Sequence, residues 1–239
     1  VTGVLAIPLN KATKIAGVLS EADKTYEGVM KLHKDVSDAK IKAAFKKFTG
    51  VIEQLPPKIS AVKREVRKRK IYLFKFIKRE KNKVWFRVKC QHGTYIRKLC
   101  HDVGEYLKVG AHMWRLRRIE SGAFKEKDTV SLEELKKNYK KFLETKSESY
   151  IRKIIQPIEA SVKHLGKIWI DKEVIKPLKH GSPIFVPGII QLSEFEKNDW
   201  VAVLNQKNKL CAIGKATVTS AQIKKLKKGL AIKTDIVLI

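Results

Sequence analysis

Residues 84–107 dictate a strand, a glycine turn and a helix that begins with an arginine, in direct succession. Val84, Phe86, Val88 and Cys90 alternate with Trp85, Arg87 and Lys89, the period-2 pattern of a strand with one buried and one basic face. Past Gln91-His92-Gly93, residues Ile96, Leu99, Cys100, Val103 and Leu107 recur at helical spacing, and Thr94 stands where a side-chain cap is expected. Arg97 falls in the first helical turn, off the apolar stripe and beside the strand's carboxyl end. From such a position an α/β scaffold presents a charge to a ligand. The plainer alternative is an arginine paired with a structural carboxylate.

The rest of the chain divides near residues 157–166, where Pro157 and Gly166 bracket a stretch of weak periodicity. Residues 1–162 read as α+β, with strands at about 26–32, 71–77 and 84–90. Ser37 and Asp38 open a helix bearing Ile41, Ala44, Phe45 and Phe48 and closed by Gly50, and Ser131 with Glu134 forms a capping-box pattern ahead of Leu132, Leu135, Tyr139 and Phe142. Residues 163–239 read as short strands at 167–171, 184–186, 200–204, 210–218 and 232–239. Gln206-Lys207-Asn208 serves as a hairpin turn, and Thr219 and Gln222 cap a short helix ending near Gly229. Five or six strands in so short a stretch predict a small closed or partly closed β-barrel.

Charge narrows the partners. The 52 Lys+Arg against 24 Asp+Glu leave +28, more than solubility requires, so a polyanion is the natural partner. Residues 58–79 hold ten Lys/Arg and one Glu, a dense strip suited to phosphates, although a solvated basic surface has the same composition. Cys90, Cys100 and Cys211 show no C-x-x-C spacing, which speaks against a disulfide framework or zinc site and for a reducing compartment. No apolar run has membrane-spanning length and nothing at the N-terminus reads as a signal peptide, so a soluble chain without membrane partners is expected. His33, His92, His101 and His112 lack metal-ligand spacing and read as structural hydrogen-bonders; neither metal nor organic cofactor is expected.

Taken in order, four segments carry a resemblance. They are Asp23-Lys24-Thr25-Tyr26 with Leu32-His33, then Gln54-Leu55-Pro56-Pro57-Lys58-Ile59-Ser60-Ala61-Val62-Lys63-Arg64, then Gly93-Thr94-Tyr95-Ile96-Arg97, and last Gly110-Ala111-His112-Met113 with Leu116-Arg117-Arg118. The set resembles the TruB/dyskerin pseudouridine synthases, specifically the catalytic subunit of H/ACA guide-RNA particles. Gly181-Ser182-Pro183, Val186-Pro187-Gly188 and Gly214-Lys215-Ala216 resemble a PUA RNA-binding domain. The implied architecture is an incomplete mixed-sheet pseudouridine-synthase catalytic domain over 1–162, followed by a PUA barrel over 163–239.

The resemblance implies a redox-neutral isomerisation of uridine to pseudouridine in rRNA or tRNA, on a nucleotide extruded from its stack. Tyr26 would stack on the flipped base and act as general base, Arg97 would pair with the family's catalytic aspartate, and Tyr95 and Leu116 would line the pocket; Leu116 suits plain core equally. In the family that aspartate stands a few residues before Val-Thr-Gly, which here is Val1-Thr2-Gly3, so it is not among these residues and the chain alone is expected to be inactive. A separate N-terminal segment is one source of it; Asp23, Asp35 and Asp102 do not stand in that motif. Lys63, Arg64, Arg67 and Arg69 would belong to a thumb loop over substrate RNA, while Gly181, Ser182, Pro187 and Gly188 of the PUA-like part would hold the H/ACA guide RNA. Further implied partners are a glycine-arginine-rich protein, a small protein beside the active site and a kink-turn-binding ribosomal-type protein. The alternatives are a guide-independent tRNA pseudouridine synthase and a non-catalytic RNA scaffold. With no Lys-rich tail after Ile239, an archaeal-type, cytoplasmic setting is expected, or a nucleolar one if eukaryotic.

Overall fold

The computed structural model describes residues 2–56, 63 and 65–239. They form two compact units, each built from two stretches of chain: Val1–Ala6 with Leu19–Thr129, and Ile7–Val18 with Val130–Ile239.

Over the described residues the first unit holds a seven-stranded sheet of order β1-β6-β2-β5-β4-β3, with β7 paired to β6. The strands are β1 (Thr2–Gly3), β2 (Lys24–Leu32), β3 (Gly50–Gln54), β4 (Arg67–Glu80), β5 (Lys83–Cys90), β6 (Ala111–Ser121) and β7 (Phe124–Lys125). The three expected strands are present, β4 extending well past both ends of its forecast. The short helix α1 (Ala16–Glu21) precedes β2, and α2 (Asp38–Lys47) and α3 (Ile96–Tyr106) share one core with the sheet. That core joins Ile41 and Phe45 of α2, Leu99 and Val103 of α3, and the alternating Val84, Phe86 and Val88 of β5. Phe45 stacks on Phe74 with centroids 3.8 Å apart and meets Phe86 edge-on. The Phe86 ring lies over the Cα of Gly28, where a Cβ would fall 2.4 Å from a ring carbon.

Three local expectations change. Tyr95, not Thr94, is the N-cap of α3, because the Thr94 hydroxyl turns back to donate to the Gln91 carbonyl at 2.7 Å. Phe48 is the C-cap of α2, and Gly50, at φ 106°, opens β3 instead of closing the helix. The helix expected to end near Gly229 stops at Ile223.

In the second unit α4 (Leu132–Thr145) begins at Ser131, whose hydroxyl accepts the Glu134 N–H, and α5 (Ser149–Arg152) follows. Then β8 (Gly166–Ile170), α6 (Lys172–Lys179), β9 (Ile184–Phe185), β10 (Ile189–Leu192), β11 (Trp200–Leu204), β12 (Leu210–Ala216), α7 (Ser220–Ile223) and β13 (Leu230–Val237) build a nearly closed barrel of order β10-β8-β11-β12-β13-β9. Its core includes Ile168, Leu178, Val201, Val203 and Ile232. Thr219 and Gln222 make the full reciprocal capping box.

Candidate active site

Adjacent strands bring the expected pocket residues to one end of the first sheet. Tyr26 of β2 pairs with Val88 of β5 on one side and Arg118 of β6 on the other, and Leu116 lies two rungs along, opposite Gly28. Lys24 pairs with Cys90, the last residue of β5, from which the turn runs through Tyr95 into α3 and Arg97. Tyr26 and Leu116 are partly buried against the core, Tyr95 is half-buried, and Arg97 is exposed.

Arg97 makes no ion pair among the described residues, which removes the plainer reading of it as half of a structural salt bridge. The three aspartates considered from the sequence are engaged elsewhere: Asp102 with Lys98, Asp35 with Arg79, and Asp23 as acceptor of the Tyr72 hydroxyl at 3.3 Å. Burial raises the Tyr26 hydroxyl above its ordinary 10.0, with the Cys90 sulfur adding to the rise, while the charge and side-chain hydrogen bond of Arg118 pull the other way. The net effect keeps the Tyr26 phenol protonated at neutral pH, with the Arg118 guanidinium at its oxygen.

Arg118 is the residue that sequence reasoning missed. Its Nε donates to the Val4 carbonyl at 2.6 Å, and the Val4 N–H donates to its carbonyl at 2.8 Å. This ties β1, which runs parallel to β6 in the register Thr2↔Arg117 and Gly3↔Arg118, to the strand beside Tyr26. Gly3 is obligatory there: at φ 98° a Cβ would stand 2.1 Å from the Arg118 carbonyl oxygen. Only the run Leu116-Arg117-Arg118 hinted at this role, and nothing in it separates one arginine from the other. Lys24 was also passed over; its ammonium donates to the carbonyls of Ser20 and Ala22 at 2.5 and 2.6 Å, capping the carboxyl end of α1. Burial, then the Arg118 charge, lowers its pKa from 10.5.

The basic residues separate. Arg64 lies outside the described residues, as do 57–62, most of the expected thumb loop. Lys63 is exposed and paired with Glu65, whereas Arg67 and Arg69 belong to β4 and not to a loop. The sheet's polar face interleaves cations with rings: Lys78 over Trp85 at 4.7 Å, and Lys31 and Lys83 over Trp114 at 5.2 and 5.3 Å. In the barrel, Gly181-Ser182 and Pro187-Gly188 flank the two ends of α6. Gly181 at φ 82° follows its last turn, and the Gly188 carbonyl accepts the N–H of the N-cap Asp171 at 3.0 Å. A Cβ at Gly188 would meet Val174 of α6 at 2.5 Å. No group of three metal-ligating side chains occurs among the described residues, and no helix of theirs is long and apolar enough to cross a membrane.

The profile of the TruB family pseudouridylate synthase N-terminal domain matches residues 33–96, that of the tRNA pseudouridylate synthase B C-terminal domain residues 97–163, and that of the PUA domain residues 166–238. A probable tRNA pseudouridine synthase B of Thermococcus gammatolerans is 44% identical over 237 residues, covering 98% of this chain and 71% of that protein. The chain belongs to the TruB family of pseudouridine synthases. The Nanoarchaeum equitans protein of the same description is also 44% identical, over 98% of this chain and 68% of its own length. Among solved structures, a chain of a Cbf5-Nop10-Gar1 complex superposes with TM-score 0.90 at 42% identity, over 97% of this chain and 71% of that one. A chain of an H/ACA RNP bound to a substrate RNA containing 2′-deoxyuridine gives 0.85 at 39%, over 97% and 70%. TruB-family membership places the chain among RNA isomerases and makes its barrel a PUA domain.

Proposed function

We propose that this chain forms the uridine pocket and the guide-holding PUA module of an H/ACA-type RNA-guided pseudouridine synthase. The observation that carries the reading is Arg97 at the head of α3, with no ion pair among the described residues, set at the same sheet end as a partly buried Tyr26 whose hydroxyl meets Arg118. In this reading Tyr26 stacks on the flipped uracil and accepts a proton during isomerisation, Tyr95 and Leu116 close the pocket, and Arg97 orients a catalytic carboxylate. That carboxylate comes from an aspartate ahead of Thr2, and β1 reaches Tyr26 through Arg118. The basic-aromatic face and the 63–69 stretch hold RNA through phosphates and stacking, with affinity that falls steeply with salt. The PUA module takes the guide's lower stem and 3′ end through the turns flanking α6. Partners of the Nop10 and Gar1 kind, named in the similar complexes, complete the particle.

The names of the archaeal relatives favour a second reading, a tRNA pseudouridine synthase that needs no guide. One experiment decides both. Tritium release from C5-labelled uridine RNA is measured with the aspartate-bearing segment supplied, with and without guide RNA, and with Tyr26→Ala and Arg97→Ala. Guide-dependent release, background without the segment, and losses of about a hundredfold or more in both variants at unchanged guide affinity are expected, since displacing a reacting group by about 1 Å costs roughly that much. Equal release without guide selects the tRNA reading. Full activity of either variant overturns the pocket assignment.

A further inference from the structure

The β3–β4 hairpin is fastened to the turn that launches Arg97. Gln54, the last residue of β3, is only 2% exposed although polar, and its carboxamide meets the Tyr95 peptide on both sides. Its Oε1 accepts the Tyr95 N–H at 3.0 Å, and its Nε2 donates to the Tyr95 carbonyl at 3.2 Å. Only the Asn and Gln side chains carry a neutral carbonyl acceptor and an N–H donor on one carbon, spaced to meet both sides of a single peptide, and Asn is a methylene shorter. Tyr95 is the N-cap of α3, and its carbonyl also accepts the Leu99 N–H at 2.9 Å, so the orientation of this peptide sets the direction in which the helix starts. Arg97 follows two residues later.

The rest of the turn is held from the same hairpin. The Gln91 N–H donates to the Lys70 carbonyl at 2.8 Å, and the Lys70 N–H donates to Gln91 Oε1 at 3.1 Å. The Arg69 guanidinium lies against Gly93, where a Cβ would come within 3.1 Å of Nη2. Gln54 and Arg67 are paired across β3 and β4 and form the base of the 55–66 connection.

We propose that Gln54 is a positioning residue: by clamping both sides of the Tyr95 peptide it holds Arg97 in register with Tyr26 and couples that register to the base of the 55–66 connection. The inference rests on the pocket reading given above. Removing the carboxamide strands a half-buried N–H and frees the first turn of α3, a displacement that costs turnover before it costs RNA affinity.

The test compares Gln54→Met, which keeps the volume, and Gln54→Ala with the parent protein by two readouts. Amide hydrogen exchange needs no activity: protection should fall at least tenfold at Tyr95 to Lys98 in both variants while the β2 and β5 amides keep theirs. In the assembled enzyme, single-turnover pseudouridylation should slow at least tenfold with substrate-RNA Kd within twofold. Unchanged exchange at 95–98, uniform loss of protection across the unit, or equal losses in rate and affinity each overturn the proposal. An inactive parent overturns the pocket reading instead, and the exchange result still decides whether Gln54 clamps the turn.

Discussion

Tyr26, Cys90, Cys100 and Lys24 show what burial does to single titratable groups in the first unit. Burial pushes the Cys90 thiol from 9.0 up to about 12 and raises Cys100 as well, so both remain neutral thiols in the folded protein. Tyr26 and Tyr72 move in the same direction, again chiefly through burial. In the unfolded chain these groups lose their protons at ordinary pH values, so the folded state binds more protons above pH 9. Stability therefore falls as pH rises from about 9 toward 12. Lys24 has the opposite sign, since its lowered pKa penalises folding while it is charged, but the thiols carry the larger shifts. Thermal melts between pH 8 and 11 should show a falling Tm, and Cys90→Ala should flatten the fall. A Tm that holds steady or rises over that range would refute the burial assignment.

Close approach at two glycines sets the geometry of whole elements. Gly104 brings α3 against β6, where a Cβ would stand 2.2 Å from the Ala111 backbone nitrogen. Gly104→Ala must push helix and strand apart, and a loss of about 1–3 kcal/mol in urea unfolding, with the m-value unchanged, is expected. Gly28→Ala meets the Phe86 ring at Cζ, which lies on the ring's rotation axis and belongs to a fully buried side chain, so turning the ring gives no relief and a loss of similar size, about 1–3 kcal/mol, is expected. Element by element, β5 and α3 were legible in the sequence because one face of each is wholly apolar, so period and burial coincide. β6 was not, although it lies between β1 and β2: His112, Trp114, Arg115 and Arg117 give it no alternation that separates a strand from a basic loop. α6 was hidden by Pro177 near its end, and β3 by its five-residue length. At the site, Tyr26, Tyr95, Arg97 and Leu116 were found through neighbouring motifs. Gln54 and Arg118 act through backbone atoms of residues far away in the chain, which no local pattern records.

At the scale of the whole molecule, neither compact unit is one continuous stretch. Ile7–Val18 belongs with Val130–Ile239, buries Ile15 and Val18, and reaches the C-terminal strand where Lys14 Nζ donates to the Val237 carbonyl at 3.1 Å. A fragment of residues 130–239 should therefore melt lower than the same fragment supplied with a 7–18 peptide. Calorimetry with and without the peptide checks this, and an unchanged melt would show that the stretch adds nothing. The division also orders events on the ribosome. Residues 7–18 emerge well before their partners, which are made only after Leu19–Thr129, a delay on the order of ten seconds at ~5–20 residues per second. By then the first unit can have closed on Val1–Ala6 and Leu19, leaving the twelve residues between as a loop anchored at both ends. Once β13 has emerged, this loop acts as a tethered ligand at high effective concentration, so assembly of the second unit is a first-order docking step that dilution does not slow.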